Sequence, residues 1–467
     1  LQSQGISTLV LEAHSLIGGC ASYFQRKNFL FDVGATTFSG LSEHGTVTKF
    51  QKQTGLNFHV KRLDPGMIIF LDFQKITRYA NQQEWIEESS RVFGPEGQKE
   101  FWNQMYKINN SAWEFLSENS MLPPANWKDV FSLVRWKNIA KWDLLFHNFR
   151  TLEAYLKKYT NANHKFQRFI EEQLLITTQT HSTKAPILTS ALGLCYPSDT
   201  YYPMGGMYKP AQMILDRFQE LGGRIGLNQK VVKIRKIGKI YEVVTKEATY
   251  RSKIVVSSIP IWNMAEITEP PLQRYFEKYA NRFQNAPGAF VLNFAIPRKE
   301  KLETAYYQVH TSQPIPHCEA GAFFVSFSLE GDEERAPQGY QTVTISTHTN
   351  PASWNRKDKE KYKQQKREVT QIILEEFDRV FSEYKGLEKL FLLSGTPSTY
   401  ERYTERWKGF VGGIPHSVFP GLLGFPPNET KFSNLYLIGD TSFPGQGIPA
   451  VLYSAMNVAE RINLANQ

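Results

Sequence analysis

Residues able to do chemistry sit in two short runs at opposite ends of the 467-residue chain. Near the C-terminus, Leu435-Tyr436-Leu437-Ile438 is an apolar run that stops at Gly439-Asp440. A loop with Pro444, Gly445 and Gly447 then leads to Pro449. A short apolar run bounded by turn residues reads as a buried strand. Pro449 suits the first turn of a helix, where a missing N–H is no loss. Loop N–H groups and the positive end of the helix dipole then converge on one place, which suits an electron-rich ligand group. Asp440, at its edge, can accept from ligand hydroxyls. Taken alone, the same residues also read as an ordinary turn between a strand and a helix.

Near the N-terminus, Thr8-Leu9-Val10-Leu11-Glu12 is a second buried-type strand, and it ends on a carboxylate. The second strand of a dinucleotide-binding βαβ unit ends on such an acidic residue, which takes the ribose hydroxyls. The paired Gly18-Gly19 that follows lets backbone approach a ligand where a Cβ would block it. The glycine fingerprint of such a unit lies about twenty residues before the acidic residue, and only eleven residues precede Glu12. The sequence is therefore expected to be an N-terminally truncated fragment, with the first strand and its G-x-G-x-x-G missing.

Other chemistries find no footing. No Ser-His-Asp order and no H-E-x-x-H motif can be assembled. The three cysteines, Cys20, Cys195 and Cys318, have no metal-ligand spacing, so no metal site is expected. The ten histidines are scattered, and no catalytic residue can be named. Few, widely separated cysteines fit a reducing compartment, which makes the cytoplasm, with peripheral membrane attachment as an addition, the expected location. No stretch reaches the ~18 apolar residues of a membrane span. The net charge of +9 suits an anionic cofactor or lipid surface. No nucleic-acid motif accompanies it, so no nucleic-acid partner is expected. Oligomeric state is not legible.

Helical patterning with few glycines fills residues 76–200. Within it, 133–150 spaces Leu133, Trp136, Ala140 and Leu144 on one face, with Arg135, Lys137 and Lys141 interleaved. Such a helix is a candidate for a membrane interface, although packing on the protein's own core explains the stripe as well. Residues 212–221 read as a helix, and Val231, Val232 and Ile234 open a meander of strands. Strands are expected at 289–296, 322–329 and 341–348, with a charged helix over 357–384.

The runs V-L-E-A-H-S-L-I-G-G-C-A-S-Y-F, F-D-V-G-A-T-T-F-S-G and L-I-G-D-T-S-F-P-G-Q-G-I-P-A-V together resemble the carotenoid isomerases and phytoene-desaturase-type flavoproteins of the FAD-dependent amine-oxidase-like superfamily. Tyr202-Pro203-Met204-Gly205-Gly206 and Thr396-Pro397-Ser398-Thr399, followed by Gly412-Gly413-Ile414-Pro415, resemble further segments of that family. The resemblance implies an α/β fold: a discontinuous, Rossmann-like two-dinucleotide-binding FAD domain over 1–75, 201–266 and 428–467. A mixed α+β substrate domain over 76–200 and 267–427 would complete it.

The resemblance also implies FAD as cofactor. Glu12 would hold the adenosine ribose, Gly18 and Gly19 would pass the pyrophosphate, and Asp32 and Gly34 would lie near the pocket. Val231 or Val232 would meet the adenine with a backbone group. Gly439-Asp440 would face the ribityl or pyrophosphate region, and Gly447, Ile448 and Pro449 the isoalloxazine's pyrimidine edge. A flavin explains the missing catalytic side chains, because the cofactor itself carries the hydride or electron chemistry. The implied activity is isomerisation or desaturation of the polyene chain of a carotenoid or related isoprenoid. A flavin oxidase or polyene reductase on another lipophilic substrate, and a flavin-free membrane-surface protein, remain as alternatives.

Overall fold

The computed structural model describes residues 1–119, 121–124, 127–134, 138, 141–160, 163–299 and 301–466. Parallel pairing gathers one half of the fold from distant parts of the chain. Leu9–Leu11 pairs in parallel with Arg224–Gly226, and Val255–Ser257 with Leu435–Leu437. The C-terminal strand is wholly buried, and the helix after it, Ile448–Asn466, starts one residue before Pro449. Val458 and Ile462 pack with Tyr436 and reach Leu1, Ile6 and Ile254. The meander forms a separate antiparallel sheet of Val231–Ile237, Ile240–Thr245 and Thr249–Ser252. Its first turn places Gly238 at a φ of 60°, a value glycine adopts without a Cβ penalty.

A seven-stranded sheet organises the other half. Its order is Leu390–Gly395, Gly288–Pro297, Tyr340–Thr349, Ala322–Phe327, Tyr306–His310, Met67–Leu71 and Gln74–Arg78. Among the described residues, only Tyr306–His310 with Met67–Leu71 is a parallel pair in this sheet. The period of two along a strand separates the faces. Phe323, Val325 and Tyr307 pack under the helix Lys359–Val380 through Val369, Ile373 and Phe377. Phe324 and Tyr306 point the other way, into a core with Phe169, Ile170 and Leu174. That second core belongs to the helices Gln98–Glu118, His164–Thr177 and Ile187–Cys195.

Two expectations change, and one strand is new. The division drawn at residue 75 falls inside the hairpin of Met67–Leu71 and Gln74–Arg78, which belongs to the large sheet. The strand Tyr306–His310, five residues long, was not among the expected strands. The stretch 133–150 is not one helix among the described residues. A helix Trp127–Leu133 ends there, and a second covers Asp143–Asn148. Asn138 donates from Nδ2 to the Leu133 carbonyl at 2.9 Å, a side-chain bond that competes with continued helix. Arg135, Trp136, Lys137 and Ala140 lie outside the described residues.

Candidate functional site

Between the two halves runs a cavity of about 1100 Å³, slightly larger than the usual range for a single small-molecule ligand, ~300–1,000 Å³. Its N-terminal wall begins where Leu9–Leu11 ends. The Glu12 carboxylate accepts the His14 N–H at 2.8 Å and lines the cavity. Gly18 and Gly19 follow at φ of 98° and 55°, in the left-handed region that favours glycine. Gly34 closes this wall: a Cβ there would lie 3.1 Å from the Cys20 carbonyl oxygen. The Ala35 N–H donates to that same carbonyl at 3.0 Å, and the Tyr400 hydroxyl holds the Val33 carbonyl at 2.8 Å.

The opposite wall is the strand, loop and helix of the C-terminus. Gly439, Asp440, Gly447, Ile448 and Pro449 all line the cavity. Arg406 donates from Nη2 to Asp440 at 2.6 Å and from Nε to the Phe410 carbonyl, so the Asp440 carboxylate is fixed and its charge balanced. Gly413 lets this happen. At a φ of 77°, its Cβ would stand 2.2 Å from the Asp440 carbonyl oxygen. Gln446 anchors the loop to the helix His164–Thr177 by donating to the Thr177 carbonyl at 2.7 Å and accepting from Gln179 at 2.7 Å.

Three of the expected site residues stand elsewhere. Asp32 is fully buried and engaged by Arg335 at 2.9 Å and by the Met207 N–H at 2.9 Å. It braces the strand Phe29–Asp32 behind the cavity rather than lining it. Val231 and Val232 belong to the meander; Val232 is exposed, Val231 packs on that sheet's core, and neither lines the cavity. Conversely, Cys20, Tyr400, Arg406, Glu172 and His416 line it without having been singled out. Arg406 and Tyr400 lie within or beside segments that the sequence did mark. Glu172 and His416 carried no sequence signal, since only tertiary packing makes them part of a wall.

The far part of the cavity is apolar, with Phe115, Leu116, Leu188, Leu192, Val291 and Phe324 on its surface. Burial pushes His416 down to about 4, so its ring is neutral at neutral pH. Burial pushes the Cys20 thiol up, with Arg406 opposing, so it is not a ready nucleophile. Among the described residues no group of three or more His, Cys, Asp or Glu could hold a metal ion. What remains is a cradle of close backbone approaches, one carboxylate at each end and a helix N-terminus, opening into an apolar chamber. This fits a dinucleotide flavin: Gly34 and Gly413 keep clear the space that Cβ atoms would fill, and Glu12 can accept from sugar hydroxyls.

Comparison with known proteins agrees with that fit. The family described as flavin containing amine oxidoreductase matches residues 1–463. Prolycopene isomerase 2, chloroplastic, of an Oncidium hybrid cultivar is 25% identical over 483 residues, covering 99% of this chain and 80% of that protein. The lycopene-forming phytoene desaturase of Pantoea ananas is 23% identical over 499 residues, covering 98% and 94%. Among solved structures, an oxidoreductase from Methanosarcina mazei superposes with a TM-score of 0.63 at 16% identity, covering 98% of this chain and 95% of that one. A fatty acid isomerase from P. acnes gives 0.58 at 13%, covering 97% and 92%. The chain belongs to the flavin containing amine oxidoreductase family. It is a flavin-dependent enzyme, and FAD is its cofactor.

Proposed function

We propose that this flavoenzyme acts on the conjugated chain of a carotenoid or related isoprenoid, as a cis–trans isomerase in preference to a desaturase. The observation that carries the reading is the continuity of the cavity: residues of the cofactor cradle and of the apolar chamber border one space. A long hydrocarbon lying in the chamber then meets the flavin end of the cradle without crossing water. Prolycopene isomerases and carotenoid desaturases among the relatives support the substrate class. The preference for isomerisation rests on the C-terminal F-P-G-Q-G-I-P-A-V and on the higher identity to the isomerases.

In this reading Glu12 holds the adenosine ribose and Gly18-Gly19 pass the pyrophosphate. Asp440, oriented by Arg406, takes hydroxyls of the ribityl chain. Gly447, Ile448 and Pro449 present backbone to the pyrimidine edge, where the helix N-terminus favours negative charge. The flavin supplies the electron or hydride chemistry. The side chains of the chamber exclude water and hold the substrate straight.

Membrane contact belongs to the same proposal. Trp142, Leu145 and Leu423 line the cavity and are also exposed, and Trp127, Phe131, Phe146, Phe149 and Phe419 add exposed apolar surface on the same or adjoining segments. Exposed apolar side chains in this number around a cavity mark an interaction surface, here a route for a substrate that leaves a bilayer. Among the described residues no helix is long and apolar enough to cross a membrane. The activity is tested by incubating the FAD-loaded enzyme with poly-cis and with more saturated carotenes and analysing the products. A shift of cis to trans isomers supports the isomerase reading, and new double bonds would replace it with the desaturase. A flavin that is bound and reducible while both substrates stay unchanged rejects the proposal.

A further inference from the structure

The chamber is not apolar throughout. On its sheet side, Val291, Ser346, Phe324 and Gln308 lie in one row across four strands, by the pairings Val291↔Ser346, Phe324↔Ser346 and Gln308↔Phe324. All four line the cavity, as does His348, opposite Ala289. The helix His164–Thr177 contributes Glu172 to the same space.

These polar groups differ in how they are satisfied. Gln308 is fully buried, and its side-chain oxygen accepts from Gln173. Thr347 donates to the Ala322 carbonyl at 2.8 Å. Both are structural. Glu172 accepts the Gly321 N–H through Oε1 at 2.7 Å, and its other oxygen has no protein partner among the described residues. The Ser346 hydroxyl and the His348 ring have none either. All three side chains are half-buried and line the cavity, so their remaining exposure opens into it.

The segment Glu319-Ala320-Gly321 brings Glu172 and His348 together. Its first N–H donates to the His348 carbonyl at 3.1 Å and its last to Glu172, while Ala320 between them forms cavity wall. The charge of the cluster limits what it can hold. His348 is kept neutral by burial, which lowers it to about 4. Burial pushes the Glu172 carboxyl up to about 7 against the pull of the Gly321 N–H. The nearest basic groups are already engaged, Arg168 by Asp72 and the His181 ring by Glu171. A carboxylate or phosphate would therefore meet no free positive charge here. A hydroxyl can both donate and accept, as these groups require.

We propose that Glu172, Ser346 and His348 form a subsite for a terminal hydroxyl on an otherwise apolar polyene, so that the enzyme prefers an oxygenated end group to a bare hydrocarbon one. The inference rests on the polyene reading above. The test measures dissociation constants for a monohydroxy carotene and its parent hydrocarbon on the FAD-loaded protein, from the perturbation of the flavin spectrum. Two hydrogen bonds of about 1 kcal/mol each correspond to a preference of about thirtyfold for the alcohol. Glu172→Leu abolishes the preference while hydrocarbon binding stays within about twofold, and Glu172→Gln, which keeps donor and acceptor, retains most of it. Equal affinities in the wild type, or a Glu172→Leu variant that weakens both ligands alike, overturn the subsite and leave the polyene reading standing. Failure to bind either polyene overturns both.

Discussion

Replacing Arg335 by Met tests how the cavity wall is held. Arg335 meets Asp32 at 2.9 Å with side-chain exposures of 2% and 0%. The strand Phe29–Asp32 leads through Val33 into Gly34-Ala35 of the wall. Asp32 also accepts from the Met207 N–H, and the Leu30 N–H donates to the Arg335 carbonyl at 2.9 Å. Beside it, the Tyr202 hydroxyl donates to Asp332 at 2.6 Å. Met fills most of the space but leaves the Asp32 carboxylate buried without a counter-charge. Breaking one side of such a pair costs about 3–5 kcal/mol, whereas removing both charges is close to neutral.

The urea midpoint of Arg335→Met, read by tryptophan fluorescence at pH 7, is therefore expected to fall by about 1 M or more, taking a slope of ~3 kcal/mol per molar. The double variant Asp32→Asn/Arg335→Met recovers at least half of the loss. The deficit of the single variant also shrinks as pH falls. Burial raises the Asp32 carboxyl and Arg335 holds it down; without Arg335 the folded state binds a proton more readily than the unfolded one, and its stability rises at lower pH. A single variant within about 0.5 kcal/mol of wild type, or a double variant worse than the single, would refute the role given to the pair.

Gly413→Ala should purify with less flavin, because its Cβ would stand 2.2 Å from the Asp440 carbonyl oxygen at a φ of 77°, a strain of about 1–3 kcal/mol before any shift of the loop. The ratio of flavin to protein absorbance measures this, and an unchanged ratio contradicts it. For Glu172→Gln the pH dependence is the signature. The folded carboxyl is raised from 4.5 to about 7, so the wild type loses stability relative to the variant as pH rises through that window. The loss is at most roughly 3 kcal/mol, less whatever water in the cavity offsets. Parallel stability curves from pH 5 to 8 would show that the carboxyl is not desolvated. Changing Trp127, Phe131, Phe146 and Phe149 together to Ser should abolish flotation with anionic liposomes at low salt, where attraction is least screened, while flavin content stays constant. Flotation equal to wild type places the membrane contact elsewhere.

The ends of the chain were the legible part. Glu12 and Gly439-Asp440 each follow an apolar run that becomes a strand, although Leu9 and Val10 of the first are exposed rather than buried as expected, and Pro449 marks the helix start within a residue. The strands 289–296 and 341–348 were readable because β-branched and aromatic residues fill them. The helix over 357–384 appears as Lys359–Val380, with Asp358 capping it through bonds to Glu360 and Lys361. Met67–Leu71 and Tyr306–His310 were not legible, because each is only five residues long, and so short a run does not separate a buried strand from a piece of buried helix. Asp32 was placed near the pocket by the family resemblance, together with Gly34. Its partner lies about three hundred residues further along, and no local pattern announces it. Glu172 sits in the middle of a long helix and becomes a cavity residue only when the sheet packs against that helix.

The most direct measurement concerns whether cofactor and polyene share one space. FAD-loaded protein is titrated with a poly-cis carotene in detergent micelles while the flavin absorption is recorded. The titration is repeated with Ala322→Trp, which fills the chamber at a residue that lines the cavity and is not among the residues assigned to the cofactor. A continuous cavity predicts a saturable shift of the flavin bands in the wild type. The variant should keep its flavin and lose the shift. Polyene that binds without moving the flavin spectrum, or that binds Ala322→Trp as well as it binds the wild type, would contradict the account.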